Sequence, residues 1–334
     1  MGHRKYSAPR RGSMAYRPRA RARSLESRVR TWPNHSSEKP MLRGFAGFKV
    51  SNLGVLTIDD REKTPNFGKN LLNPSTLIAV PPIRIIGIRG YNENTYGTRA
   101  VFDHFVRDMD KDLGKKLKQK QKDNKENTTE EIKSKLDKVS RIVAVVAVSP
   151  NVISISQKKP YIWEIPLTGE DKLSQFDYVT SKLGKEVRIT EVFQPGQYID
   201  VSGITRGKGI EGPITRFGVK RKQHKSRKSV RALGTLGPIS PAVVTYTVPR
   251  QGQRGFHQRT EYNKRIMIMS SVEKDVENKL NKDSGYDHFG KLSGDYIIVR
   301  GSVPGVPKRL VKMRFPIRPK HNKVVAPKIL ETIA

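Results

Sequence analysis

QYIDVSGIT (residues 197–205) runs without a break into RGKGIEGPITRFGVKRKQHKSRKSV (206–230). The first stretch is an apolar, β-branched run suited to a strand. The second has little to bury. From 204 to 262 the chain holds 13 Lys and Arg, eight Gly and four Pro, with only Glu211 and Glu261 as acids. Its longest apolar patch is the short run 241–248. That much apolar surface does not offset the entropy of ordering so much backbone, so the stretch borrows its order from a partner. Lys and Arg suit phosphates, and Gly lets a backbone come close to them. Apolar texture resumes at RIMIM (265–269). The basic stretch is thus a long excursion between two strands.

Upstream, short apolar runs alternate with turns: FAGFKV (45–50), GVLTI (54–58) and LIAVPPIRIIGIRGY (77–91). Pro81 and Pro82 exclude a helix there and suggest a strand entered from a rigid edge, with Gly87 and Gly90 closing it. AVFDHF (100–105) fits a strand or a helix start. Residues 107–127 are densely charged with both signs, which suits a solvated helix or loop. Thr128 and Glu131 have capping-box spacing, and Ile132, Leu136 and Val139 repeat at i, i+4, i+7, predicting a short docked helix. RIVAVVAV (141–148) is β-branched and predicts a buried strand ended by Pro150. NVISIS (151–156) and YIWEI (161–165) predict two more. A helix follows with Leu173, Phe176, Val179 and Leu183 on one face, stopped by Gly184. EVRITEVF (186–193) predicts a further strand before 197–205. GDYIIVRGSV (294–303) and KRLVKMRF (308–315) predict a closing pair of strands separated by the turn GSVPGVP, and IRPKHNKVVAPK (317–328) a basic tail. Many short, evenly spaced strands with few helices favour a barrel over a doubly wound sheet.

The 334 residues are 35% hydrophobic and 29% charged, with a formal net charge of +34 and a mean hydropathy of -0.61. This restricts partners to nucleic acid, an anionic membrane or an acidic protein. The charge is concentrated: residues 1–31, 204–262 and 300–334 together supply +28 of the +34. The rest is a near-neutral globule. No cysteine is present, which excludes disulfides and thiolate metal sites. The N-terminus has no apolar leader segment and carries Tyr6 where a myristoylation signal needs Ser or Thr. The longest aliphatic run, 142–148, is too short to span a bilayer. No membrane partner is expected.

GKGIEG (207–212) matches a G-x-G-x-x-G pattern. Pro213 and an aperiodic basic sequence follow where a phosphate-facing helix should begin, and no acid sits where a ribose would be held. A Gly-rich turn against RNA phosphates fits better. The seven histidines have no metal-ligand spacing, and no catalytic motif gives positive support for an enzyme. Rings are interleaved with cations: Phe217 near Arg216 and Lys220, and Phe256 and His257 between Arg254 and Arg259. Such rings either stack on unpaired bases, with the cations on phosphates, or pack on the arm's own backbone.

HRKYSAPRRGS (3–13), PPIRIIGIRGY (81–91), YIDVSGITRGKGIEG (198–212), HKSRKSVRALGTLGP (224–238) and GQRGFHQRTEYNKR (252–265), in that order, resemble the universal large-subunit ribosomal protein L-three family in its archaeal and eukaryotic form. The resemblance extends to the closing GDYIIVRGSVPGVPKRLVKMR (294–314), and the length suggests the archaeal branch. It implies a β-rich α+β fold: a six-stranded translation-protein-type β-barrel, an inserted α/β portion, a long central basic loop, and basic N- and C-terminal extensions. The expected divisions are an extension over 1–42, first barrel strands over 43–98, the insertion over 99–192, a barrel strand over 193–205, the loop over 206–262, closing strands over 263–316 and a tail over 317–334.

The resemblance also implies a structural constituent of the large ribosomal subunit in the cytoplasm, not an enzyme, and without a cofactor, metal or small-molecule substrate. Its partners would be large-subunit ribosomal RNA, bound near the 3′ end early in assembly, and neighbouring ribosomal proteins. The basic loop would extend toward the peptidyl transferase centre. In the N-terminal arm the RNA-binding candidates are His3, Arg4, Lys5, Arg10, Arg11, Arg17, Arg19, Arg21 and Arg23. On the outgoing side of the loop they are Arg206, Lys208, Arg216, Phe217, Lys220, Arg221, Lys222, His224, Lys225, Arg227, Lys228 and Arg231. On the returning side they are Arg250, Gln253, Arg254, Phe256, His257 and Arg259. Gly237, Pro238 and Ile239 form the tip. His224 falls where eukaryotic relatives carry a histidine that can be methylated. Two departures stand out: Ile239 replaces the usual tip Trp, and GFKVSN (47–52 within the early motif) replaces a sequence like GYKAGM. A basic chromatin-type DNA-binding protein is the alternative.

Overall fold

The computed structural model describes residues 12–14, 16–34, 39–106, 109–117, 129–153, 155–169, 171–226, 229–273, 280–281, 283–319 and 324–333. The fold is β-rich α+β. Strands are β1 (Gly44–Ile58), β2 (Asn70–Ala79), β3 (Ile83–Asn94), β4 (Gly97–Phe105), β5 (Arg141–Val148), β6 (Tyr161–Pro166), β7 (Glu186–Val187), β8 (Tyr198–Ile204), β9 (Ile210–Glu211), β10 (Gly252–Gln253), β11 (Gln258–Ser271), β12 (Asp295–Arg300), β13 (Leu310–Arg314) and β14 (Ile329–Ile333). Helices are α1 (Lys111–Leu117), α2 (Thr129–Lys135), α3 (Lys172–Ser181) and α4 (Pro213–Phe217). The chain divides into two compact units. One takes Met1–Leu25 and Ile204–Gln258, the other Glu26–Gly203 and Arg259–Ala334.

The larger unit holds two sheets. In the first, the strand order is β13-β8-β11-β12-β2-β1-β14, and β13 also pairs β1. The 15-residue β1 is its spine. Gly44–Phe48 run antiparallel to Leu310–Arg314, and Phe48–Ile58 run antiparallel to Asn70–Ala79. Its first seven residues are buried on both faces, after which burial alternates, as a strand leaving a core for a half-solvated edge should do. Arg265, on β11, meets Asp60 just beyond the end of β1.

The second sheet runs β4-β3-β5-β6, with β7 also on β3. β5 explains its packing. Ile142, Ala144, Val146 and Val148 join the main core with Ile132 and Leu136 and with Phe176 and Val179 of α3. The alternate residues Val145 and Ala147 pack with Ile86 and with Leu113 of α1. The strand is apolar throughout because both faces are covered.

Several sequence expectations change here. β3, expected among the first barrel strands, joins the second sheet; Pro81 and Pro82 interrupt the ladder between β2 and β3. AVFDHF is a strand, β4. The start of NVISIS lies in a 3-10 turn over Pro150–Ile153 rather than in a strand: Pro150 opens the turn, Ile153 and Ile155 are buried, and Ser154 lies outside the described residues. EVRITEVF pairs only at β7, then turns as 3-10 helix over Ile189–Glu191. Leu173, in the first turn of α3, is 54% exposed, whereas Phe176 and Val179 are buried. β12 and β13 do not pair with each other: β12 lies between β11 and β2, and β13 between β8 and β1. The expected tail ends in β14, which adds to β1. Within the charged run 107–127, Leu113 is buried and docks α1. Thr128 of the capping-box expectation lies outside the described residues.

Candidate nucleic-acid interface

The smaller unit gathers the basic N-terminal arm and the basic excursion. β8 ends at Ile204, and the chain then forms a narrow neck. Thr205 N donates to His257 O at 3.0 Å, Lys208 N to Arg254 O at 2.9 Å, and Arg254 N to Gly209 O at 2.8 Å. β9 and β10 continue the ladder, with Glu211 opposite Gly252. Gly255 has φ +71°, and a Cβ there would lie 2.0 Å from Arg206 O. Only a residue without a side chain closes the neck at that point. Arg254 Nη1 meets Glu211 Oε2 across it at 2.7 Å. The stretch thus spends one of its two acids on holding its own base together.

Beyond the neck the chain makes α4. Pro213 occupies its first turn, where a preset φ favours the helix, and Gly218 caps its end in the left-handed conformation. Its last turn carries Arg216 and Phe217. Phe217 is 7% exposed, and three guanidinium groups gather on its ring: Arg19 at 4.1 Å, Arg17 at 4.8 Å and Arg216 at 5.0 Å from the centroid. These cations are held by main-chain carbonyls. Arg216 donates to Gln253 O at 2.9 Å, Arg250 O at 3.1 Å and Arg19 O at 3.3 Å. Arg19 returns a bond to Arg216 O at 2.6 Å. Arg17 donates to Tyr246 O, and to Thr247 O at 3.2 Å. Burial, and then the charge of Arg17, hold the Arg216 guanidinium below its ordinary pKa range. An anion brought to this cluster would relieve that repulsion.

A second tie lies beside the neck. Ala22 N donates to Phe256 O at 2.8 Å, and the Arg21 guanidinium sits 5.5 Å from the Phe256 centroid. His257 is buried, and its Nδ1 lies 2.9 Å from Ala20 O. A carbonyl only accepts, so Nδ1 carries the proton and His257 is a positioning group in this arrangement.

The structure therefore brings together Arg17, Arg19, Arg216 and Phe217, and separately Arg21, Phe256 and His257. Arg23, Arg206, Lys208, Lys220, Arg221, His224, Lys225, Arg231 and Arg250 are exposed, and Lys222, Gln253 and Arg254 half-buried. Arg259 begins the return into the larger unit, half-buried. At the tip Gly237 and Pro238 are exposed and Ile239 is 96% exposed. His3, Arg4, Lys5, Arg10, Arg11, Arg227 and Lys228 lie outside the described residues. Sequence reading missed Glu211 as the clamp and Tyr246, 76% exposed, whose carbonyl anchors Arg17. An acid set among so many cations was the available signal for the first. Among the described residues no group of three or more His, Asp or Glu is placed to hold a metal, and no helix is long and apolar enough to cross a membrane.

A family model described as Ribosomal protein L3 matches residues 1–334. The Large ribosomal subunit protein uL3 of Caldivirga maquilingensis is 40% identical over 327 residues, covering 95% of this chain and 92% of its own length. Those of Methanococcoides burtonii and Sulfurisphaera tokodaii are each 38% identical, and each alignment covers 98% of this chain, with 96% and 97% of the relatives' lengths. The chain belongs to the ribosomal protein L3 family.

Proposed function

We propose that this chain is a structural constituent of the large subunit of the cytoplasmic ribosome, and that it acts by binding large-subunit ribosomal RNA rather than by catalysis. The observation that carries this reading is the cluster of Arg17, Arg19 and Arg216 on Phe217. Three like charges are fixed by carbonyl groups, so their positions are set before any anion arrives, and little ordering remains to oppose binding. The exposed cations of the excursion add electrostatic affinity, while the shape of the folded RNA decides placement. The family supports the finer reading: binding near the 3′ end of the RNA, early action in assembly, an excursion extending toward the peptidyl transferase centre, and neighbouring ribosomal proteins as further partners. The first sheet is read as a closed six-stranded barrel. What supports closure is that β13 pairs with β8 on one side and β1 on the other.

Sedimentation of the native protein tests the assignment. Stoichiometric residence in large subunits washed at high salt is the expected result. A pool that is free, or bound to chromatin, would refute it.

A further inference from the structure

Within the larger unit a cavity of about 550 Å³ opens beside β5, β6 and β13, a volume typical of small-ligand sites. Its walls include Trp32 and Trp163, and these are the chain's only two tryptophans. Arg28, Arg30, Arg141 and Lys312 also line it, against one acid, Glu164. That acid is already engaged: Arg89 Nη1 donates to its Oε1 at 2.6 Å and the Tyr91 hydroxyl donates to the same oxygen at 2.8 Å. The cavity therefore presents four cations and two indoles against one engaged carboxylate, with Arg141 Nη1 also 3.6 Å from Glu93 Oε1 and Lys312 Nζ 3.6 Å from Glu26 Oε2, so positive charge is in excess at its wall.

The wall is built rather than draped. A Cβ on Gly44 would lie 2.7 Å from Trp32 Cζ3, so the indole rests directly on bare β1 backbone. The segment carrying it is tied by Ser27 Oγ donating to Ser202 O at 3.0 Å, by Arg314 donating to Thr31 O, and by Arg43 Nη1 donating to Pro33 O at 3.1 Å. On the other side Lys312 Nζ sits 4.8 Å from the Trp163 centroid and 3.6 Å from Glu26 Oε2. Burial pushes the Lys312 ammonium below its ordinary pKa, and Glu26 works against that fall. A nearby anion would favour the charged form.

Flat rings with cations at their margin match a nucleobase and its phosphate. We infer that this cavity is a nucleotide pocket, taking one unstacked base against the indoles and its phosphate on Arg28, Arg30 and Arg141. Stacking is tolerant of base identity because every base has a π-face, whereas the cations require the phosphate. The nucleotide is either one extruded from a folded RNA or a free nucleoside monophosphate. Only the choice of RNA as the natural source rests on the ribosomal reading above. The pocket itself shares no residue with the neck or with α4.

Both tryptophans lie in the pocket, so intrinsic fluorescence of the full chain reports on it alone. Titration with AMP, GMP, CMP and UMP is expected to give saturable quenching, and inorganic phosphate none. Trp163→Leu should weaken nucleotide binding roughly tenfold, read from the remaining Trp32 emission, while Trp163→Phe restores most of it. Arg141→Gln, on an exposed strand residue, should also weaken nucleotide monophosphates by roughly tenfold, and it leaves the core untouched. Thermal melting identifies any variant that fails to fold. Tighter binding of a single-stranded oligonucleotide than of the monophosphates, with no quenching by the same sequence as a duplex, assigns the ligand to extruded RNA. Equal binding assigns it to a free nucleotide. Absence of saturable quenching, equal quenching by phosphate alone, or preferential quenching by an acidic peptide would overturn the pocket. Lys222→Gln with Lys225→Gln serves as a control: it weakens RNA binding if the ribosomal reading holds and leaves the monophosphate titration unchanged.

Discussion

Arg19 and Arg216 bind each other's main chain. Arg19 Nη1 donates to Arg216 O at 2.6 Å, and Arg216 Nη2 donates to Arg19 O at 3.3 Å. Two like charges nearly 200 positions apart in sequence are thereby locked beside one ring, Phe217, and a segment that cannot form a core gains a fixed shape. The order comes from charge donating to backbone.

Arg216 is the hub of that arrangement, and its planar fork reaches three carbonyls at once. Arg216→Lys keeps the charge but not the fork. Local opening of the N-terminal arm should become easier by about 2 kcal/mol, or roughly 30-fold in amide hydrogen exchange across 16–22. Unchanged exchange would show that the arm is ordered by something other than Arg216.

Asp200 and Arg314 form an ion pair inside the larger unit, with Nη2 and Oδ2 3.3 Å apart and side chains 0% and 5% exposed. Asp200 also accepts from Asn263 N at 3.0 Å and Ile317 N at 3.2 Å. It therefore joins β8, β11 and the chain after β13 at one carboxylate. Asp200→Ala leaves Arg314 buried without its counter-charge and should cost about 3 to 5 kcal/mol, lowering the melting temperature by on the order of 10 °C. A loss under about 1 kcal/mol would mean that Arg314 escapes to solvent.

Acid should weaken the larger unit through Asp59. Its carboxylate accepts from Arg61 Nε at 2.8 Å and Nη2 at 2.7 Å, from Arg61 N at 3.2 Å, and from the Thr64 hydroxyl at 3.2 Å. The Arg61 side chain first, then these smaller bonds, hold its pKa well below the usual carboxylate range. Asp60 is lowered as well, chiefly by Arg265. With the folded pKa depressed, the unfolded chain takes up protons first as pH falls. The stabilisation is therefore complete above roughly pH 5 and is lost progressively below roughly pH 4. Denaturant melts across that interval should show a shallower fall for Arg61→Gln than for the native sequence. Parallel slopes would contradict the assignment to Asp59.

Much of the framework was legible in the sequence because local chemistry and burial agree there. The β-branched run at 141–148 is a strand, and Ile132 in α2 and Leu136 in the 3-10 turn that follows lie on a docked helical segment, with Val139 extended just past its end, all three residues being buried. NVISIS misled because alternation alone does not reveal that its upstream Pro150 opens a turn. β14 was hidden because its residues are half-buried or exposed, so its only signal is pairing with β1. Which cations surround Phe217 was not legible either. Lys220 follows it closely in sequence, but Arg17 and Arg19 come from the far N-terminal arm. The Trp32 and Trp163 pocket is non-local for the same reason.

The central claim is that preset cations of the arm and the excursion bind RNA electrostatically. Its most direct test is the salt dependence of the full chain's affinity for large-subunit ribosomal RNA. With about eight phosphate contacts to single-stranded-like RNA, the slope of log affinity against log salt concentration should be roughly -5 to -6. A slope near zero would contradict the account.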